Sequence, residues 1–398
     1  MQRREFLCKA AIGSVGVTSG LFGRGKPYNI LADTLKSYSN RAVRLVNETT
    51  TIDMLGLFSD DLHERNGINI TKLWLNKAGS FTREDFKMIR SSGIKIFAFG
   101  DLFEGYDAMV EDLARWNGFI ASNSQYFERI DTAEKLDSIV ESGKIGRILS
   151  YQNSTHFRTV EDVDFFYGLG QRVSQLTYNP KNRIGCGAFV EKDTGLTEFG
   201  ISIVNRMDHV GMGVDISHCG DRTTLDAISL CKNPILITHA ACRSLNSGYA
   251  RAKTDEAIKK MAKKGGVIGI PILRFMIRDK EPVAIKHFLD HIDHVVKLVG
   301  VEHVGIGSDQ NLYTEDAQPL EVRKRTLLNA PSKYKVHIND KYQISIEGLN
   351  HPKRFFNIAE GLIRNGYTDK HIKLILGGNF KRALKSILNS GSSEVYRG

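Results

Sequence analysis

Short apolar segments alternate with amphipathic ones along most of the chain, and this alternation predicts the fold. The apolar segments are rich in Val, Ile, Leu and Phe, which is typical of buried strands. The predicted strands span residues 50–58, 94–103, 147–152, 172–178, 213–218, 234–239, 266–273 and 303–309. Because each strand is followed by a helical pattern, we predict an α/β fold, a (β/α)8 TIM-type barrel, rather than a doubly wound open sheet.

The amphipathic segments between the strands predict helices. Thr82 and Thr197 precede two of them as N-caps, and Asp221 is predicted to cap a third. Other helices are predicted at residues 107–116, 131–141, 352–365 and 369–375, and a turn is predicted at residues 377–379. The polar stretch 311–350 lacks periodicity, so we expect a long loop beside the mouth of the barrel.

The N-terminal residues predict an export signal. Arg3 and Arg4 precede a mildly apolar stretch that is too short to span a bilayer, the pattern of a bacterial twin-arginine leader. We expect a periplasmic protein with a leader at residues 1–26, a linker at 27–46 and one barrel domain at 47–398. Cleavage of the leader and its retention as a membrane anchor both stay open.

The net charge narrows the choice of partners. The formal charge is +10, of which the first 26 residues supply four units. The rest is diffuse, without a dense Lys/Arg run interleaved with aromatic residues, so nucleic acid is not an expected partner. Membrane contact is expected only through an uncleaved leader, and a homodimer stays open.

Two histidines stand at the ends of neighbouring predicted strands. His218 ends the strand at 213–218, and His239 ends the next strand at 234–239. A strand-helix-strand unit makes these strands parallel and adjacent, so both imidazoles should emerge at the carboxyl edge of the sheet. Imidazole is a common zinc ligand, although a single histidine at a strand end is more often a hydrogen-bonded rim residue.

Two further residues could act at the same edge. Asp309 ends the last predicted strand and could serve as a general base, or it could cap the following segment. Arg251 could bind a carboxylate through two parallel hydrogen bonds, or it could be a surface arginine. His63, with Asp60 and Asp61, could reach a metal only if the loop after the first strand folded back over the rim.

Other groups of metal-binding residue types have simpler explanations. His287, His291 and His294 share a helical spacing, but they lie in a crossover helix and are predicted to form a partly exposed face. The cysteines after the leader show no CxxC spacing, so no zinc knuckle is predicted, and pairing of two after export stays open. They are Cys186, Cys219, Cys231 and Cys242.

Several motifs in order resemble the membrane (renal) dipeptidase family of zinc peptidases, its bacterial branch in particular. They are VNRMDHVGMGVDISHCGDRTTLDAI, PILITHAACRSL, DHIDHVVKLVGVEHVGIGSD, LGQRVSQLTYNPKNRIGCGA and GGNF, within residues 50–388. The resemblance implies a barrel with two zinc ions that cleaves dipeptides. By position, it makes His218 and His239 ligands of one zinc, Asp309 the catalytic aspartate and Arg251 the substrate-carboxylate arginine.

Several positions depart from the family pattern. Leu55 and Leu57 occupy the places of a His-x-Asp pair that binds the other zinc, and Gln152 that of the glutamate that bridges the two metals. Tyr178, a residue expected to touch substrate, replaces a histidine found in the animal enzymes. Leucine offers no lone pair, and a neutral carboxamide cannot offset the repulsion between two divalent cations. We therefore expect one zinc ion at most.

These residues leave three functions open. The first is a metallohydrolase of a small amide or dipeptide, with Gln152, Asp309 or water completing the shell of a single ion. The second is a catalytically silent relative that binds a dipeptide-like ligand. The third is metal-assisted hydrolysis of a non-peptide substrate such as a lactone or a cyclic amide.

Overall fold

The structure, a computed structural model, describes residues 38–58, 64–65, 68–101 and 105–391. The predicted leader at residues 1–26 lies outside these ranges, as do Asp60, Asp61 and His63. Residues 40–46 of the predicted linker at 27–46 instead belong to a helix, which begins at Asn40.

The strands of the described residues form a closed barrel of eight strands, a ninth short strand beside β7 (Ile145–Tyr151), and two separate two-stranded sheets. They are β1 (Ile52–Asp53), β2 (Gly56–Leu57), β3 (Glu64–Arg65), β4 (Ile68–Asn69), β5 (Ile96–Asp101), β6 (Phe127–Arg129), β7 (Ile145–Tyr151), β8 (Gln171–Gln175), β9 (Gly213–Asp215), β10 (Leu236–Ile237), β11 (Val267–Ile270), β12 (Val304–Ile306) and β13 (Gln310–Asn311). The parallel order β1-β5-β7-β8-β9-β10-β11-β12 closes where Asp53 pairs with Ile306. The predicted (β/α)8 barrel is confirmed, and each predicted barrel strand is present; most are shorter than predicted, whereas β7 begins two residues earlier than predicted.

Four short strands were not predicted, and of these only β6 joins the barrel sheet; the others are β3, β4 and β13. β6 pairs with the first half of β7, with Phe127 opposite Ile145, while β8 pairs with the second half. The sequence from Phe127 to Arg129 has a single apolar residue among charged ones, so it lacks the apolar run that identifies the other strands.

The helices of the described residues surround the barrel. They are α1 (Asn40–Glu48), α2 (Ile70–Asn76), α3 (Arg83–Arg90), α4 (Tyr106–Ser122), α5 (Ala133–Ser142), α6 (Asp162–Gly168), α7 (Glu198–Val210), α8 (Asp221–Leu230), α9 (Asp255–Lys263), α10 (Arg274–Ile277), α11 (Ile285–Val299), α12 (Leu320–Leu328), α13 (Arg354–Arg364), α14 (Asp369–Lys373) and α15 (Asn379–Ser390). In this part of the chain, none is both long and apolar enough to cross a lipid bilayer.

The helix ends match the predicted caps in two of three cases. Thr82 and Asp85 form a reciprocal capping box at α3, and the Thr197 hydroxyl accepts the amide of Gly200 at α7. The predicted cap at Asp221 is wrong: Gly220 precedes α8, and the Asp221 carboxylate instead pairs with Arg243. Asp193, from the preceding loop, accepts the Thr223 amide in the first turn of α8 and so takes the role of the cap.

The last helix packs against the strands of the barrel. Phe380, Ala383, Leu384 and Ile387 of α15 form one hydrophobic cluster with strand residues such as Ile52 and Val267. Gly305 is required for this packing, because a Cβ atom there would lie 2.5 Å from the Phe380 ring. Gly377 has a non-helical backbone, with φ 167° and ψ −20°, so the chain kinks between α14 and α15 within the predicted turn at 377–379.

A buried lysine anchors α1 to the barrel. Ala42, Leu45 and Val46 of α1 are fully buried, and the Nζ atom of Lys95 donates to the carbonyl of Val46 at 2.6 Å. Burial, with the nearby Arg90 charge adding to it, lowers the pKa of Lys95 to about 7. Between about pH 7 and about pH 10 the unfolded chain therefore binds more protons than the folded protein, and stability rises with pH across this window.

We expect Lys95→Met to flatten this pH dependence. The wild-type free energy of unfolding should rise between about pH 7 and about pH 10 by up to a few kcal/mol, whereas the variant should lack most of the rise. Urea unfolding at several pH values measures it. Lys87→Met, which changes an exposed lysine of α3, is the matched control, and an unchanged slope in Lys95→Met would contradict the assignment.

Candidate active site

His218 and His239 meet at the carboxyl end of the barrel. His218 follows β9 and His239 follows β10, and Asp215 of β9 pairs with Leu236 of β10. This register brings the two Nε2 atoms to 2.9 Å from each other. His218 is 5% exposed and His239 fully buried, so the structure brings together the pair that strand order predicted.

The ring of His239 is oriented by a buried carboxylate that the sequence did not single out. The Ser217 and Thr238 hydroxyls donate to the two oxygens of Asp215 at 2.6 and 2.7 Å. With its proton on Asp215, the Thr238 hydroxyl can only accept from the Nδ1 atom of His239, which lies 2.9 Å away. His239 is therefore protonated on Nδ1, and its Nε2 atom carries a lone pair.

A carboxamide orients His218 in the same way. The Oδ1 atom of Asn179 lies 2.8 Å from the Nδ1 atom of His218, while the Nδ2 atom of Asn179 donates to the Tyr334 hydroxyl at 3.1 Å. An amide oxygen only accepts, so Nδ1 of His218 is also the protonated nitrogen. The two Nε2 lone pairs therefore point at each other, with no proton between them.

A proton is a poor occupant for the space between these nitrogens. Burial, and then the charges of Arg251 and Lys253, lower the pKa values of both histidines well below the ordinary value. Lys253 is buried behind the pair, where its Nζ atom donates to the carbonyl of Cys219 at 2.8 Å. The two imidazoles are consequently uncharged, and the lone pair of each Nε2 atom is available to a cation.

Arg251 lies beside the histidine pair and retains hydrogen-bonding capacity. It is 1% exposed, and its Nη2 atom donates to the carbonyl of His239 at 2.8 Å. Its Nε and Nη1 atoms have no hydrogen-bond partner. A buried guanidinium with unused donors is suited to binding an anionic group such as a carboxylate, and a surface position is excluded.

Asp309 occupies a strained turn on the same rim. Its φ is 57°, a left-handed value that is uncommon for a residue with a side chain, and its amide donates to the carbonyl of Leu55 at 2.8 Å. The half-buried Asp309 carboxylate is among the groups that raise the pKa values of Tyr178 and Tyr334, after burial itself. It therefore faces the tyrosine side of the mouth.

No third His, Cys, Asp or Glu side chain joins the two histidines among the described residues. In that part of the chain, no group of three His, Cys, Asp or Glu side chains could hold a metal ion, so the alternative in which Asp309 completes the shell is not supported. Gln152 follows β7, and its backbone carbonyl accepts a hydrogen bond from Gln175. Its predicted role as a ligand stays a prediction.

The segment that follows β1 is apolar at the two positions where the family resemblance places ligands. Leu55 and Leu57 are 5% and 6% exposed, and the Leu57 carbonyl accepts the amide of Leu312. Below them, the buried Asp53 carboxylate accepts the amide and the hydroxyl of Ser308 at 2.8 and 2.6 Å. The Nε atom of the buried Arg354 lies 3.9 Å from Asp53, so a side-chain cation lies close to this strand.

Aromatic rings from four different segments cover the mouth. They meet edge to face in a closed cycle, with centroid distances of 5.2 to 6.2 Å, and are Phe189, Tyr249, Phe275 and Tyr334. Tyr334 comes from the predicted loop at 311–350, which does lie beside the mouth but also contains α12. Tyr178 stacks on His218 with its centroid 4.3 Å away. Sequence spacing could not reveal this cover, because its members are far apart in the chain.

One further expectation needs correction. His291 is buried rather than partly exposed: its Nδ1 atom accepts the amide of Cys242 and its Nε2 atom donates to the carbonyl of Ile277. His291 therefore connects α11 to the segment after β10 and to the end of α10. His287 and His294 are half-buried. The four cysteines of the described residues are buried and free, so the pairing that the sequence left open is not observed among them.

Comparison with solved structures agrees with the fold. An amidohydrolase from Pseudomonas aeruginosa has a TM-score of 0.71 at 25% identity, with 87% of this chain and 99% of that chain covered. A metallopeptidase from Rhodobacter sphaeroides, liganded with a phosphinate mimic of the dipeptide L-Ala-D-Ala, has a TM-score of 0.64 at 16% identity, with 84% and 99% covered.

Sequence relatives are dipeptidases. Dipeptidase verJ of Clonostachys rogersoniana is 26% identical over 272 residues, 66% of this chain and 61% of that protein. Dipeptidase tcpJ of Claviceps purpurea is 23% identical over 276 residues, 68% of this chain and 58% of that protein. The matched part thus spans about three-fifths of the length of these two relatives.

A family model covers the central part of the barrel. It begins after the first strand, where Leu55 and Leu57 lie, and includes both histidines, Arg251 and Asp309. The matched residues are 82–323, more than half of the chain, and the model is that of membrane dipeptidase, Peptidase family M19. The chain therefore belongs to the membrane dipeptidase family.

Proposed function

We propose that the protein is a dipeptidase-like hydrolase of small amides that carry a free carboxylate, and that it works with one divalent ion at most. The observation that carries this proposal is the pair of facing Nε2 lone pairs of His218 and His239, 2.9 Å apart. Two buried lone pairs in contact repel each other unless a cation lies between them. Zinc is the ion whose ligand preferences match two neutral imidazoles.

The geometry of the pair fits a single ion. His218 and His239 would hold the ion, and their Nε2 atoms, 2.9 Å apart, would have to separate and turn toward a shared point to bind it. Both Nδ1 atoms donate to fixed oxygens, Asn179 Oδ1 and Thr238 Oγ1, which is how metal-bound histidines are usually held.

A second ion does not fit the described residues. Its family positions are held by Leu55 and Leu57, which are buried and lack donor atoms, and by Gln152, which carries no charge to bridge two cations. We therefore derive no step that depends on a two-metal centre.

The remaining residues can perform the protein's share of dipeptide hydrolysis. A bound divalent ion would polarise the scissile carbonyl and lower the pKa of a water molecule. Arg251 would bind the substrate carboxylate through its unused hydrogen-bonding capacity and so fix the position of the amide. Asp309 would hold the proton that leaves the attacking water, and the aromatic cover would exclude bulk solvent.

A silent binding protein is the second candidate. The observation that favours it is the absence of a third ligand from the described residues, together with the positive charges of Arg251 and Lys253 next to the pair. Such a protein would retain the carboxylate site at Arg251 and bind a dipeptide-like ligand without cleaving it.

Zinc titration and a hydrolysis assay on the full chain test the proposal. We expect binding to saturate at about one zinc per chain, together with turnover of dipeptides that stops on chelation and returns with zinc. Saturation at two equivalents would contradict the single-ion centre. Zinc binding without turnover would favour the silent relative, and no zinc binding at all would refute the proposed function.

A further inference from the structure

Tyr334 reaches the histidine pair from a distant part of the chain. Its hydroxyl accepts a hydrogen bond from Asn179 Nδ2 at 3.1 Å, and Asn179 Oδ1 in turn accepts from His218 Nδ1 at 2.8 Å. A further hydrogen bond joins the hydroxyls of Tyr334 and Tyr178, and burial raises the pKa of Tyr334 to about 12. Tyr334 is therefore a neutral hydroxyl at the end of a chain of hydrogen bonds that leads to His218.

The orientation of the Asn179 amide decides which nitrogen of His218 carries the proton. In the observed orientation, the oxygen faces Nδ1, so Nε2 has a lone pair. If the amide turned over, its NH2 group would donate to Nδ1, and the proton would move to Nε2. His218 could then donate to His239 across the 2.9 Å gap, which satisfies both rings without any metal. The two orientations thus correspond to a metal-binding pair and a metal-free pair.

The backbone around Asn179 is fixed, so turning the amide is the available change. The Phe189 amide donates to the carbonyl of Asn179 at 3.2 Å, and the Ala188 amide donates to the carbonyl of His218 at 2.8 Å. Gly187 packs so closely that a Cβ atom there would lie 2.2 Å from the Asn179 carbonyl oxygen. The segment 187–189 therefore holds the ends of β8 and β9 together.

We propose that Tyr334 is a positioning residue for the metal site, because its hydroxyl accepts the Asn179 NH2 group and so satisfies the orientation in which the amide oxygen faces His218. This inference rests on the proposed function, because it concerns the affinity of the same histidine pair for zinc. Without the hydroxyl, the metal-binding orientation leaves a buried N–H group unpaired, whereas the turned orientation leaves only a carbonyl unpaired, which proteins tolerate better. The segment that covers the mouth thereby also orients one of the two histidines.

Competition with a chromophoric zinc chelator measures the effect directly. We expect Tyr334→Phe to weaken zinc affinity by about 10-fold to 100-fold, the usual effect of losing a group that orients a metal-bound histidine. Tyr342→Phe is the matched control, because Tyr342 lies on the same segment but faces Lys324 rather than Asn179. The control should bind zinc as the wild type does, and circular dichroism should show that both variants are folded.

A rescue experiment separates orientation of the amide from general disorder of the segment. A carboxylate can only accept, so Asn179→Asp removes the alternative orientation. The double variant Asn179→Asp/Tyr334→Phe should therefore bind zinc about as tightly as Asn179→Asp alone. Wild-type affinity in Tyr334→Phe, or failure of the rescue, would overturn the inference while leaving the proposed function intact. Failure of the wild type to bind zinc would instead refute the proposed function.

Discussion

His239→Ala should abolish stoichiometric zinc binding and reduce dipeptide turnover by at least about a thousandfold, the largest loss that we expect from any single substitution. One imidazole would remain, and no third ligand is present among the described residues to compensate. A divalent ion held by a single neutral nitrogen and water exchanges with solvent, so a metal-activated nucleophile would no longer be positioned. Equilibrium dialysis with zinc and a dipeptidase assay measure the two effects.

The matched control is His371→Ala, which changes a half-buried histidine of α14 whose ring packs against that of Tyr367. It should retain zinc and turnover, whereas Thr238→Val should lie between the two because it leaves the His239 Nδ1 proton without an acceptor. If His239→Ala still bound one zinc with wild-type affinity, the ion would have to lie elsewhere and the single-ion centre would be wrong.

The barrel and the histidine pair could be predicted because both follow from local pattern. Each buried parallel strand is a short apolar run, and a crossover between His218 and His239 requires that they emerge at the same edge. The strand β6 and helix α1 were missed for the complementary reason. β6 has one apolar residue among charged ones, and α1 follows a polar stretch, so its burial is decided by tertiary contacts such as that of Lys95 with Val46.

The residues that set the chemistry of the pair could not be predicted in the same way. Asp215 is an ordinary strand residue in the sequence, and only the packing of β9 beside β10 shows that two hydroxyls donate hydrogen bonds to its carboxylate. Tyr334 lies 155 residues from Asn179, so no spacing rule connects them. Hydrogen-bond networks between distant loops depend on the complete fold, whereas periodicity reports only on each segment by itself.

The family resemblance and the local chemistry give different information about this site. Family membership alone would imply two metal ions, but the apolar Leu55 and Leu57 and the neutral Gln152 argue against the first of them. The structure adds the hydrogen bonds to Asn179 and Thr238 that orient the rings of His218 and His239. The positions that depart from the family pattern are thus expected to affect one metal only, and both histidines and Arg251 are retained.

Arg251→Met should change ligand recognition and protein stability in opposite directions. In the absence of ligand, the buried guanidinium has two donors without partners, and each such donor costs about 1–3 kcal/mol. A methionine of similar length removes that cost, so thermal unfolding should show a melting temperature equal to or above that of the wild type. With ligand, the loss of a buried charge-assisted pair with a carboxylate costs about 2–5 kcal/mol.

The sharpest measurement compares a dipeptide with its C-terminal amide, which lacks the carboxylate. The wild type should prefer the free carboxylate by at least about 30-fold in affinity or in kcat/KM, and Arg251→Met should lose the preference. Arg251→Lys should retain part of it, because it keeps the charge without the planar fork. Undiminished preference in Arg251→Met would show that the carboxylate is bound elsewhere. Lower stability of that variant would show that the guanidinium serves the fold, which the unpaired Nε and Nη1 atoms argue against.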